Sequence, residues 1–556
     1  MRIRSKIVPL AIPVVAVGLV VSGCGSGTNN QVANVDVNST NDINPKDPSA
    51  LRDGGNLRLS ISSFPATFND LHIDGGDADL NSIIEPLMPD TFVSDAAGNL
   101  TVDHNYFTDI KLTGTNPQQV TFTINPKAVW SDGSPITWED LQSEAHALGN
   151  ASQGYQINFS QGFERVSKVA RGVDDRQAIV TFNKPYAEWQ GMFSPLYPKA
   201  VTASPQAFSD MDRNDLKVTS GPFVITGIDR TQDRVVLGRN PKWWGPAPKL
   251  DTITYTRLDQ SAVLGAVQNN EIDYTYVSGL ANVVAAKNSP GVVVRRSPEP
   301  SWSHITFNGG PGALLSDPKL RVAISKAVDR QAIVDQAQRG IVNNPKPLNN
   351  HIFVMGQKGY QDNSAPVAFD PAEAAKELDA LGWTLHGDVR EKDGKKLELR
   401  DVMFDQKEWV DTAKIVQQDL AKVGVKVDIQ TVPGTGLFTD VIDPGNFDLA
   451  QFSWGGSSLP LISLPQIYAY DPNNLQSNKA RIGSPELNAL IEQTMSELDP
   501  NKAIALANQC DKLIWQEGYS LPLQQASGTY AVRANLANIG AYGLANIDWT
   551  KIGFLK

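Results

Sequence analysis

"VTFTINPKAVWSDGSPITWEDL", Val120–Leu141, reads as a strand, a turn and a helix start in one breath. Asp132-Gly133 supplies the turn, Thr137 stands where a helix N-cap belongs, and Asp140 occupies the reciprocal position three residues on. Such residues build scaffold, and Trp130 and Asp132 are read the same way. A strand delivered straight into a capped helix is the unit from which layered α/β folds are made.

The same grammar recurs further along. "DPAEAAKELDALGW" offers Asp370 as N-cap, Pro371 at the first helical position, Glu373 at the capping-box position and a stop at Gly382. Ser484-Pro485 and Asp499-Pro500 open two more helices, and Gly518 ends the second. Short strand candidates, "KVDIQTV", "DLAQFSW" and "SLPLQQA", lie between helices. Upstream, Leu57, Leu59 and Ile61 alternate with Arg58 and Ser60 as in a half-buried strand, so the globular part is expected to begin near Gly54.

Bulk properties set the frame. A chain of 556 residues, 41% of them hydrophobic, can bury several cores. Its net charge of -11 argues against nucleic acid as an electrostatic partner. With 35 prolines and 44 glycines spread throughout, many turns between short elements are expected.

The N-terminus reads as an export signal. Arg2, Arg4 and Lys6 precede an apolar run, Ile7 to Val21, and Val21-Ser22-Gly23-Cys24 resembles a bacterial lipobox with Val in place of the commoner Leu. Residues 1–23 are thus expected to be a lipoprotein signal peptide, Cys24 the lipidated residue, and 24–51 a disordered tether rich in Asn, Ser, Asp and Pro. No later segment reaches the roughly 18 apolar residues of a spanning helix, so membrane contact is expected through the anchor only. After Cys24 a single cysteine remains, Cys510, in a pattern that reads as a buried helical thiol.

Catalytic motifs are weak. The six histidines, at 72, 104, 146, 304, 351 and 386, lack metal-site spacing. Ser316-Asp317-Pro318-Lys319 fits a Ser-x-x-Lys pattern but reads as a helix start. "DGGDAD", Asp74–Asp79, departs from calcium-loop spacing and is read as a polar loop. Trp243-Trp244, among prolines and glycine, reads as a packed corner. No enzyme activity, metal or cofactor is expected.

One segment asks a different question. In "QFSWGGSSLP", Gln451–Pro460, a strand ends in bare backbone at Gly455 and Gly456, beside a large aromatic. A strand end without side chains lets another main chain lie against it.

From about Gly54 to the C-terminus the chain resembles the extracellular solute-binding proteins of ABC importers, in the oligopeptide and dipeptide-binding branch. The resemblance is carried by "GGNLRLSISSFPATFN", by the opening stretch, by "TSGPFVITGIDRTQDRVVLGRNPKWWGPAPKLDTITY", by "VQNNEIDYTYVSG", by "HITFNGG…DPKLRVAISKAVDRQAIV" and by "TAKIVQQDLAKVGVKVDI". It implies an α/β, two-lobed periplasmic-binding-protein fold of type II, with an extra subdomain inserted in the first lobe. The first lobe would comprise 52–88, 218–299 and 523–556, the insert 89–217 and the second lobe 300–522. Crossovers would fall near "SPEPSWSHITFN" and "GYSLPLQQ", and closure about them would trap the solute.

In peptide-binding relatives the ligand's main chain adds as a strand between the lobes. The resemblance therefore implies a ligand site made of Ser453, Trp454, Gly455, Gly456 and Ser457, of Trp302, Ser303 and His304 at the crossover, and of His72, Ile73, Asp74, Gly75 and Gly76 from the first lobe. One departure stands out. Relatives commonly carry an Asp where this chain has Ser457, and that Asp pairs with the ligand's α-ammonium. A hydroxyl cannot supply a counter-charge. Either another acid, such as Asp74, Asp405 or Asp443, takes the role, or the ligand lacks a free amino end.

The expected function is the substrate-binding component of an ABC importer for peptides or related solutes. The expected partners are the permease and ATPase subunits, the expected state is a monomer, and the expected location is the extracytoplasmic face of the membrane. The alternative is a lipoprotein of the same fold that regulates cell-envelope assembly through protein contacts.

Overall fold

The computed structural model describes residues 41–556 apart from 161, 434 and 435. Cys24, the apolar run before it and the spacer up to residue 40 lie outside the described residues. Among those described, no helix is long and apolar enough to cross a membrane.

In the first lobe, Asn56–Ile61 buries Leu57, Leu59 and Ile61, as the alternation predicts. It pairs in parallel with Thr252–Arg257, and the sheet continues antiparallel through Arg234–Arg239 to Phe223–Asp229. A second, three-stranded sheet places Thr529–Arg533 between Tyr274–Tyr276 and Val292–Arg296.

The stretch that opened the sequence reading builds the inserted unit. Gln118–Ile124 is an inner strand of a four-stranded antiparallel sheet with Phe107–Thr115, Gln177–Phe182 and Val166–Arg171. Gly133 takes φ +94°, which favours glycine, and the Asp132 carboxylate accepts from the Ser134 amide at 2.8 Å. The Thr137 amide donates to Asp140 Oδ2 at 2.7 Å and opens the helix Trp138–Gly149. Asp140 Oδ1 accepts from the Lys199 amide, so this buried carboxylate pins two segments at once. Trp243 and Trp244 form the expected corner, their indole N–H groups donating to the carbonyls of Pro246 and Asn105.

The second lobe is organised by a mixed five-stranded sheet in the order Lys426–Val432, Glu398–Phe404, Leu449–Trp454, Trp302–Phe307, Ser520–Gln525. Its helices start where the sequence places them. Asp317 caps Pro318–Lys326, Asp370 caps Pro371–Ala380, Ser484 caps Pro485–Ser496, and Asp499 caps Pro500–Gln516. Gly382 and Gly518 follow two of these helices at φ +84° and +58°. Glu373 differs from expectation: its carboxylate binds Lys376 instead of returning to the cap amide, because a lysine one turn on offers a charged partner. Cys510 is buried, and burial pushes its thiol up to about 11.

The two crossovers run side by side. The Ala526 amide donates to the Ser301 carbonyl at 2.9 Å, the Glu299 amide to Ala526 at 3.1 Å and the Ser297 amide to Gly528 at 3.1 Å. Gly528 has φ +50°, and a Cβ there would stand 2.0 Å from the Ser297 carbonyl oxygen, so only glycine allows the two chains to lie this close. Ser520–Gln525 belongs whole to the second-lobe sheet, so the return passage begins at Ala526, past the expected boundary at residue 523.

Residues 42–51, expected to belong to a disordered tether, are packed on the fold. Asp42 exchanges backbone hydrogen bonds with Ala541, its carboxylate pairs with Arg295 at 2.9 Å, and Leu51 is buried and bridges to Leu555. Residues 42–51 read as polar spacer because their partners lie far off in sequence, at Arg295 and, some five hundred positions away, in the C-terminal segment.

Candidate solute-binding cleft

Trp302–Phe307 and Leu449–Trp454 are central neighbours in register, Trp302 opposite Trp454, Ser303 opposite Ser453 and His304 opposite Phe452. This pairing assembles an aromatic wall. The His304 ring lies parallel to the Trp454 indole, 5.7 Å between centroids and 6° between planes, and meets Phe452 edge-on at 4.3 Å. His304 is fully buried, and burial, helped by nearby His351, pushes its imidazole down to about 3. It stays neutral at physiological pH, with Nδ1 in a 3.0 Å hydrogen bond to Thr306 Oγ1. Trp454 itself is half-buried and also packs against the cluster of Trp302, Leu348 and Val354.

The two glycines beyond Trp454 have different surroundings. Gly455 is exposed, and nothing stands within 4 Å of where its Cβ would be. At Gly456 a Cβ would stand 2.5 Å from the Pro300 carbonyl oxygen. One glycine leaves an open edge; the other lets the crossover pass. Ser457 is exposed, its hydroxyl bonded to the backbone of Leu459 and its carbonyl held by Gln357 Nε2 at 3.0 Å. Ser453 is exposed and Ser303 half-buried at the same rim.

The first-lobe segment His72–Gly76 is built differently. It is a tight 3-10 turn, not a strand. The Ile73 amide donates to Gln156, the Asp74 amide to His72 Nδ1 and the Gly75 amide to the His72 carbonyl. His72 and Gly75 are buried, and Gly75 sits against the Asn69 carbonyl, 2.1 Å from where a Cβ would be. A Cβ on Gly76 would meet Asn158 at 2.9 Å. Only the side chains of Ile73 and Asp74 reach outward, and Asp74 pairs with Arg213 at 3.1 Å. "DGGDAD" is likewise structural: Asp77 caps the helix Ala78–Ile84, and Asp79 accepts from Ser62 and Ser63.

The inserted unit meets the second lobe near the strand end. Arg165 makes a two-pronged ion pair with Glu492, at 3.2 and 2.7 Å, and the Ala187 amide donates to the Met495 carbonyl at 2.7 Å. Between them lies a cavity of about 420 Å³, walled on one side by Glu188, Trp189 and Gln190 and on the other by Gln357, Ser458 and Leu461. Beyond the strand its lining begins at Ser458, next to Ser457, and includes none of Ser453–Ser457, Trp302, Ser303 or His304. Sequence reading passed over Glu188. Its one signal is an acid set in an aromatic run, "YAEWQGMF". The residue is 6% exposed, and burial pushes its carboxyl up to about 8 despite a hydrogen bond from the Leu461 amide.

These features match known proteins. Residues 113–475 fit the family described as bacterial extracellular solute-binding proteins, family 5 Middle. The oligopeptide-binding protein OppA of Mycobacterium tuberculosis is 52% identical over 549 residues, covering 97% of this chain and 92% of that protein. LpqW of the same species, described as a probable monoacyl phosphatidylinositol tetramannoside-binding protein, is 24% identical over 65% of this chain and 61% of its own. Among solved structures, the periplasmic EDTA-binding protein EppA superposes with a TM-score of 0.86 at 22% identity, covering 94% of this chain and all of that one. AppA of Bacillus subtilis, in complex with a nonapeptide, gives 0.78 at 20% identity, covering 91% and 100%. The fold is the two-lobed periplasmic-binding-protein architecture, and the chain belongs to the bacterial extracellular solute-binding proteins, family 5.

Proposed function

We propose that this chain is the substrate-binding component of an ABC importer and captures peptides by closure of its two lobes. The observation that carries this reading is the 52% identity to an oligopeptide-binding protein along nearly the whole chain. The 24% match to LpqW covers less of the chain, so peptide transport is favoured over envelope regulation.

In this reading the lobes are 52–88, 218–299 and about 526–556 for the first, 89–217 for the insert, and 300 to about 525 for the second. The solute's main chain lies along the open edge at Gly455, over Trp454 and between Ser453 and Ser457. Trp302, Ser303 and His304 form the wall beneath. From the first lobe Ile73 and Asp74 contribute side chains, while His72, Gly75 and Gly76 hold their turn. Cys24 carries the lipid anchor on the extracytoplasmic face, and the protein works as a monomer delivering solute to a permease and its ATPase.

Native mass spectrometry of the purified, unlipidated protein, followed by sequencing of what is released on denaturation, tests the reading. Mixed short peptides are expected. A tightly held sugar or metal chelate, or an empty cleft that refuses a random peptide library, overturns it.

A further inference from the structure

A cavity of about 360 Å³ lies away from every residue assigned to the solute, between the helix end at Glu85, the first residues of the insert and the C-terminal segment 546–551. No second-lobe residue lines it, so its walls do not depend on closure of the lobes. Its charge is one-sided. Glu85, Asp90, Asp103 and Asp548 face it against one lysine, Lys551, which is already paired with Asp548 at 2.8 Å. Asp103 Oδ1 accepts from the amide and the side chain of Asn105, but among the described residues neither Glu85 nor Asp90 has a cation beside it. Glu85 is set deep in the protein and is still exposed, because its side chain faces the hollow, where there is room for a partner. Burial pushes its carboxyl up to about 7, and burial, with Glu85 and Asp103 close by, holds Asp90 well above the usual carboxylate range. Acids crowded together out of bulk water need protons or a bound cation to offset their charge.

A second feature of the cavity calls for an acceptor. Trp549 is 7% exposed, and its indole N–H faces the Glu85 side of the cavity without closing a hydrogen bond. A buried donor left unmatched is costly, and an oxygen on a bound molecule would satisfy it. Tyr106 and Trp243, with ring centroids 5.9 Å apart, line the same space with their polar atoms already committed to Ser220 and Pro246, so they offer only apolar surface. Among the described residues no three acids, histidines or cysteines are placed to share a metal ion, which leaves a cation with a carbon skeleton. We propose that this cavity is a second solute site, separate from the cleft, for small hydroxylated amines: Glu85 and Asp90 hold ammonium groups, Trp549 Nε1 donates to a hydroxyl oxygen, and the aromatic wall covers the carbons. The site goes beyond the peptide reading and stands whether or not the cleft takes peptides.

The test titrates the purified, unlipidated protein with diaminopropanol, which is glycerol with its two end hydroxyls replaced by amines, at about 150 mM salt to suppress loose attraction to an acidic chain. Glycerol and diaminopropane are the comparators, one lacking the charge and the other the hydroxyl. Saturable binding at one site is expected by NMR, with the Trp549 indole N–H signal shifting as the site fills. Glycerol should bind at least about tenfold more weakly and diaminopropane about threefold more weakly. Glu85→Gln and Asp90→Asn should each weaken diaminopropanol at least about tenfold, with a melting temperature unchanged or raised because a repulsion is removed. In Glu85→Gln the affinity for a random peptide library should stay within about twofold of wild type. Absence of saturable binding, equal binding of glycerol, or indifference to both acid substitutions overturns the site, and the comparison of the three probes on wild type decides the matter without any variant. A parallel loss of peptide binding in Glu85→Gln overturns its separateness from the cleft.

Discussion

Two glycine pairs were expected to do the same work, and they do opposite things. Gly75 and Gly76 sit in a turn whose amides are engaged by their own chain, with Asn69 and Asn158 filling the space that side chains would take. Gly455 faces open space at the end of a strand, and Gly456 faces the crossover. Bare backbone therefore has two meanings. In the first lobe it permits close packing; in the second it leaves an edge to which another chain can add.

The largest effect should come from placing the same methyl on each side. Gly75→Ala is expected to cost about 3 kcal/mol or more in denaturant unfolding, since the opposing atoms are backbone and cannot step aside. Gly455→Ala should stay within about 0.5 kcal/mol of wild type. Similar losses at both sites would erase the distinction.

Next is the wall under the open edge. His304 has its folded pKa depressed to about 3 from 6.5, so the unfolded chain takes up the proton first as pH falls. Its contribution is complete above pH 6.5 and is lost progressively as pH falls from there toward 3. Between pH 7 and 4.5 wild type should lose about 1–3 kcal/mol more stability than His304→Gln, read as the difference in unfolding midpoints. Parallel pH profiles would mean the imidazole is not sealed behind Trp454.

Trp454→Ala removes the ring stacked on His304 and should weaken peptide binding about tenfold in titration calorimetry. Ile73→Ala, on the turn opposite, should change it by no more than about threefold. The reverse order would move the main contact to the first lobe.

What was legible lay within a few residues of its cause. Asp370, Ser484 and Asp499 cap helices because the amides they serve are two or three positions away, and Asp132-Gly133 turns the chain for the same local reason. The alternation at Leu57, Leu59 and Ile61 announced an inward face. Trp302, His304 and Trp454 were legible as a group only through the family resemblance, since their register is fixed by a pairing across about 150 positions. Glu188 had only its place in an aromatic run to mark it. Nothing in "YAEWQGMF" says that Leu461 of the other lobe will close over it.

The sequence by itself determined the α/β elements, their caps and turns, and the buried state of Cys510, because propensity, capping and hydrophobic period act between near neighbours. The tertiary structure alone decided which glycines are open, that residues 42–51 pack on the C-terminal segment, and which acid is stranded in the cleft. Those outcomes depend on which distant surfaces meet, and burial, with the loss of solvation it brings, is a property of that meeting and not of any residue.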